Sequence, residues 1–112
     1  MTVIATRILT LDATGGKVEI PVRVFAPEVG DDDVWMCRFD IDWPEGRLER
    51  WAAGIDAVQA LVQALQLIGV ILYTSKQHKS GRLMWYEAGS GYGFPVTGNM
   101  RDLLIGDDVK FF

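Results

Sequence analysis

Two hydrophobic periods divide this chain. From Lys17 to Phe25 the period is two: Val18, Ile20, Val22 and Val24 share one parity, and Lys17, Glu19, Pro21 and Arg23 the other. That is the pattern of a half-buried strand. It returns from Val34 to Trp43, where Trp35, Cys37, Phe39, Ile41 and Trp43 alternate with Arg38, Asp40 and Asp42. Residues 3–11, rich in β-branched side chains, predict a strand that Thr14-Gly15-Gly16 joins to the next as a hairpin. Pro21 cannot donate to a ladder, so its strand is expected at an edge or to carry a bulge. Pro44-Glu45-Gly46 is a turn, Arg47–Ala53 returns as a fourth strand, and Arg82–Glu87 reads as a fifth.

Between the fourth and fifth strands the period lengthens. From Ala57 to Ser75, nineteen residues pass without a charge. Asp56 is a helix cap, and Gln59 three positions later completes a D-x-x-Q capping box. At about 100° per residue, Asp56, Gln59, Gln63 and Gln66 fall in one narrow stripe, and the rest of the cylinder is apolar. A helix on one sheet needs little more than about 100° of apolar arc, so a second cover is expected. The order β-β-β-β-α-β predicts an α+β fold: an antiparallel sheet of about four to five strands with one long helix packed on one face. One domain, residues 1–112, accounts for the length. After a glycine-rich stretch, one helical turn around Arg101–Leu104 and an extended Val109-Lys110-Phe111-Phe112 are expected.

Composition narrows the classes. The chain is 49% hydrophobic and 23% charged, as in ordinary globular proteins, with a net charge of −4 that argues against nucleic acid. The charge-free stretch carries three glutamines, which leave a Gln-free apolar run of only seven residues, Leu67 to Tyr73. A membrane helix needs about 20 apolar residues, so no span is expected. The amino terminus has no apolar run of signal-peptide length, and one cysteine excludes an internal disulfide. The expected setting is cytoplasmic.

Candidate chemistry is sparse. The parity of Cys37 makes it a core thiol. His78 stands with Lys76, Lys79 and Arg82 after the helix, where the macrodipole favours cations; an acidic partner is the functional alternative. Asp31, Asp32 and Asp33 lack the ligand alternation of a calcium loop. Asp40 and Asp42 read as the polar side of a sheet, with an acid/base pair as the alternative. "GSGYGFP", residues 89–95, is not followed by a helix that could meet a phosphate, and reads as a close-packed turn beside an aromatic. No nucleophile, base and orienting group occur together, so no catalytic, cofactor or metal residues are expected, and no enzyme. Of Trp35, Trp43, Trp51 and Trp85, Trp43 beside its turn is expected to be exposed. The candidate interaction surface is Trp43, Gln59, Gln63, Gln66, Trp85 and Tyr92.

The segments W-M-C-R-F-D-I at 35–41, G-I-D-A-V-Q-A-L-V-Q-A-L-Q-L-I-G at 54–69, G-R-L-M-W at 81–85 and G-F-P at 93–95 resemble a family of small bacterial proteins classed as a domain of unknown function. The resemblance covers residues 34–95 and leaves out the amino-terminal hairpin. It implies a bacterial source and a cytoplasmic α+β domain, and no established activity. Three readings follow. The first is a non-enzymatic protein-interaction module or homodimer; the others are an immunity protein against a bacterial toxin, and a small-molecule-binding or enzymatic domain with its pocket near residues 85–95.

Overall fold

The computed structural model describes residues 1–112. β1 (Val3–Ala13) and β2 (Gly16–Phe25) form the expected hairpin, with Gly15 and Gly16 both at positive φ in the turn. β4 (Trp35–Trp43) is the central strand. One of its sides pairs with β5 (Gly46–Gly54) over the full length, from Trp35↔Gly54 to Trp43↔Gly46. Its other side meets β2 at Val22–Val24 and the two-residue β3 (Glu28–Val29). β6 (Leu83–Met84) joins the far edge at Thr10 and Leu11 of β1. The result is an antiparallel meander closed by one returning strand.

Pro21 is reconciled with an internal strand by register. β4 pairs with β2 only from Val22 onward, so the proline stands where that ladder stops and no second donor is required. The bulge of this hairpin lies elsewhere, between Val3 and Ala5.

The inner face of the sheet buries Leu9, Ile20, Val22, Val24, Cys37, Phe39, Ile41 and Ala52. Across it lies α1 (Ala57–Thr74), which presents Ala60, Ala64, Ile68 and Leu72 to the core. The start of α1 comes so close to β5 that a Cβ on Gly54 would collide with the backbone of Ala60. The outer face of the sheet carries most of its charges, with Ile8 and Trp51 exposed among them. Asp40 is buried there between Arg23 (3.1 Å) and Arg38 (3.7 Å), and Arg38 also reaches Glu49 at 2.6 Å. The α+β architecture is thus as the hydrophobic periods require.

Two expectations are corrected. The fifth strand keeps only Leu83 and Met84, because the chain then leaves the ladder and Trp85 passes under Arg7. The terminal Val-Lys-Phe-Phe is not extended: Asp108–Phe111 is one helical turn, α3, wound so that the side chain of Asp108 points into the core. A short α2 (Lys76–Lys79) and a 3-10 turn (Gly98–Leu103) complete the chain.

Candidate functional site

α1 begins as its sequence specifies. Asp56 Oδ1 accepts the amide of Gln59 at 2.8 Å, and Gln59 Oε1 accepts that of Ile55 at 2.6 Å. The sheet covers one side of the helix along its length. A second cover exists only for the carboxyl-terminal half. There the segment Tyr92–Val96 crosses α1, and the carbonyl of Pro95 sits where any side chain on Gly69 would have to be. The glycine is what lets backbone pack on backbone.

A buried carboxylate holds that segment down. Asp108 accepts the hydroxyl of Tyr73, from the last turn of α1, at 2.5 Å. It also accepts the amides of Tyr92 at 2.9 Å and Gly93 at 2.8 Å. Positive φ at Gly91 and Gly93 turns these donors toward it, and a Cβ on Gly91 would strike the carboxylate. Burial, with the Asp108 hydrogen bond next, pushes the Tyr73 hydroxyl well above its ordinary pKa. Burial, and then the Asp108 charge, raises Tyr92 to about 12. His78 Nδ1 lies 2.5 Å from Tyr92 Oη, within hydrogen-bond distance, and burial and then Lys79 pull its pKa down.

Arg7 grips the same segment from β1. Its Nη1 donates to the carbonyls of Tyr92 (3.2 Å) and Gly93 (2.8 Å), and its guanidinium lies 3.8 Å from the Trp85 ring centre. Its pKa is lowered by burial, which the charge of Asp108 opposes.

The amino-terminal half of α1 has no such cover. Ile55, Val58 and Val62 are 85%, 69% and 45% exposed. They form one apolar strip beside Gln59 and Gln63, which are exposed too. Length and a mean hydropathy of 1.6 would by themselves qualify this helix to cross a membrane. Its buried side, from Ala60 to Tyr73, is packed on the protein's own sheet and loop.

The expected surface residues separate. Gln59, Gln63 and the half-buried Gln66 line the polar side of α1. Trp85 is half-buried under Arg7, remote in role from that stripe. Tyr92 is corrected outright: it is buried, because its hydroxyl is needed by His78 and its ring lies against Tyr73. Trp43 is half-buried against the core, and the exposed tryptophan is Trp51 on β5. Trp51 has the parity of the outer sheet face, opposite Arg38, and that pairing was the available signal. Sequence reasoning missed Arg7 and Asp108. Arg7 shares the parity of Leu9 and Leu11, the one local signal that it faces inward, whereas nothing in the local pattern around Asp108 distinguishes it from a surface charge. Cys37 is buried as expected; its thiol donates to the carbonyl of Phe25 at 3.4 Å, and burial raises its pKa.

Compared with known protein families, residues 5–96 match the model of DUF6968, a domain of unknown function. The chain belongs to this family. The matched range includes the amino-terminal hairpin, which the resemblance seen in the sequence had left out. No curated protein and no solved structure matches the chain.

Proposed function

We propose that the protein is a non-enzymatic interaction module that self-associates through the amino-terminal half of α1. The observation that carries this reading is the exposed set Ile55, just before the cap of α1, and Val58 and Val62 on its first turns, left bare on a helix whose other half is covered twice. Contiguous exposed apolar surface of this kind marks contact sites in soluble proteins. A two-fold pairing of the strip with its copy would bury it against a surface of the same chemistry. The free edge of β5 is the less suitable contact, because Arg47, Glu49 and Arg50 blunt it. The polar groups closest to catalytic types, Tyr73, His78, Tyr92 and Asp108, are occupied by one another, which supports a structural role for them.

Size-exclusion chromatography with light scattering tests the reading. The expected result is a dimer at tens of micromolar, an order of magnitude typical of modest interfaces, and a monomer for Val58→Asp with an unchanged far-ultraviolet spectrum. A wild-type monomer at millimolar concentration would overturn it.

A further inference from the structure

Evidence independent of the α1 strip comes from a cavity that meets α1 only at Leu65. Between the start of β1, the middle of α1 and the Gly93–Pro95 segment is a cavity of about 300 Å³. Its walls are mostly apolar: Val22 and Val24 of β2, Leu65 of α1, Phe94 and Phe112. Arg7 supplies its one charged side chain.

That arginine differs from most others on the sheet in its partners, and from Arg50, which is also without an ion pair, in being half-buried rather than exposed. Arg23, Arg38 and Arg47 each sit on a carboxylate, at 3.1, 2.6 and 3.7 Å. Arg7 has no carboxylate within ion-pair distance. Both of its hydrogen bonds leave from Nη1, and its ring contacts, Trp85 at 3.8 Å and Phe94 at 5.0 Å, fix the plane of the guanidinium. Nη2 and Nε therefore remain as a pre-oriented pair of donors with no acceptor from the protein. A guanidinium held in this way matches a carboxylate, whose two oxygens take parallel N–H bonds. The charge of Asp108 reaches Arg7 only from beyond ion-pair distance and does not offset its burial, so an anion of matching shape gains more there than in water.

We propose that this cavity binds a small amphipathic carboxylate. Its apolar body packs on Val22, Val24, Leu65 and Phe94, and its head group is taken by Nη2 and Nε of Arg7. The volume is at the small end of the range for ligand pockets, about 300–1,000 Å³, which restricts the ligand to a short chain or one ring.

Titration of the ¹⁵N-labelled full chain with octanoate, 1-octanol and inorganic phosphate tests the assignment. Octanoate is expected to give saturable shifts at the amides of Ala5, Leu65 and Gly93. The alcohol should bind at least about tenfold more weakly, the factor that one charge-assisted hydrogen bond contributes. Phosphate alone should neither shift these amides nor displace octanoate. Arg7→Gln should cost the same factor or more. Because Arg7 also grips the Tyr92–Gly93 segment, Ala5→Trp provides a second variant, which fills the cavity from the exposed start of β1 and should abolish octanoate binding with Arg7 intact. Equal affinity for alcohol and acid, displacement by phosphate, no saturable shift, or unchanged binding in Ala5→Trp would each overturn the proposal.

Discussion

Val58 and Gly69 lie on one line of α1: they are eleven positions apart, close to three turns of 3.6 residues. Val58 is exposed, and Gly69 is buried beneath Pro95. The two halves of this helix share a cylinder, a polar glutamine stripe and a sheet. They differ in whether another part of the chain reaches them. What reaches the carboxyl-terminal half does so through a single carboxylate, Asp108, and a single guanidinium, Arg7. The apolar arc that exceeds the needs of one sheet is thus divided, half closed from within and half left for a partner.

The largest test of that division removes the carboxylate. Asp108→Ala leaves the Tyr73 hydroxyl and the amides of Tyr92 and Gly93 without an acceptor, and should cost about 3–5 kcal/mol in urea denaturation. Amide exchange in the Leu65–Tyr73 turns should then rise toward that of the amino-terminal half. Gly69→Val attacks the same cover from the helix side. With Pro95 in the way, the segment must lift, at about 1–3 kcal/mol by the same measurement.

Alkali should open the covered half next. The folded-state pKa values of Tyr73 and Tyr92 are raised, so the stability they contribute is present below their ordinary value near 10 and is lost as pH climbs toward about 12 for Tyr92. Ultraviolet absorbance at 295 nm should show their ionisation coinciding with loss of near-ultraviolet dichroism. Acid acts more weakly through His78. Its folded pKa is depressed, so the unfolded chain takes the proton first, and the melting temperature should fall as pH drops below about 6.5. His78→Gln should flatten that part of the profile. The smallest effect should come from the bare half: Val58→Ser, at an exposed position, should stay within about 0.5 kcal/mol of wild type and change only the association state.

The four long strands and α1 were legible because each is written in consecutive residues, whereas the two-residue β3 was not expected and the fifth strand was overestimated. The alternation of Trp35 to Trp43 and the Asp56–Gln59 cap are local signals, and β4 and the start of α1 follow them. The surplus apolar arc was legible too, but not its resolution. Asp108 and Tyr73 are 35 positions apart, and Arg7 and Gly93 are 86. No periodicity links such pairs, so a buried carboxylate near Phe111-Phe112 looks like a solvated one, and Tyr92 looks like a surface aromatic of a glycine loop. Trp43 was misjudged for a related reason. Proximity to a turn suggested exposure, whereas sheet parity places its ring against the core and that of Trp51 outside.

The separation of those partners also orders events in time. Hairpins such as β1–β2 and β4–β5 zip from tight turns, whereas the Asp108 bond to Tyr73 and the Arg7 bonds join residues 35 and 85–86 positions apart, and the Asp108 cluster is complete only when these long loops close. Groups that lock last are absent from the folding transition state, and their loss leaves the refolding rate untouched while unfolding quickens. In stopped-flow experiments Asp108→Ala should therefore move only the unfolding limb of the chevron. The carboxylate that closes half of α1 is by this logic a latch on the native state's lifetime, and contributes nothing to how quickly that state is found.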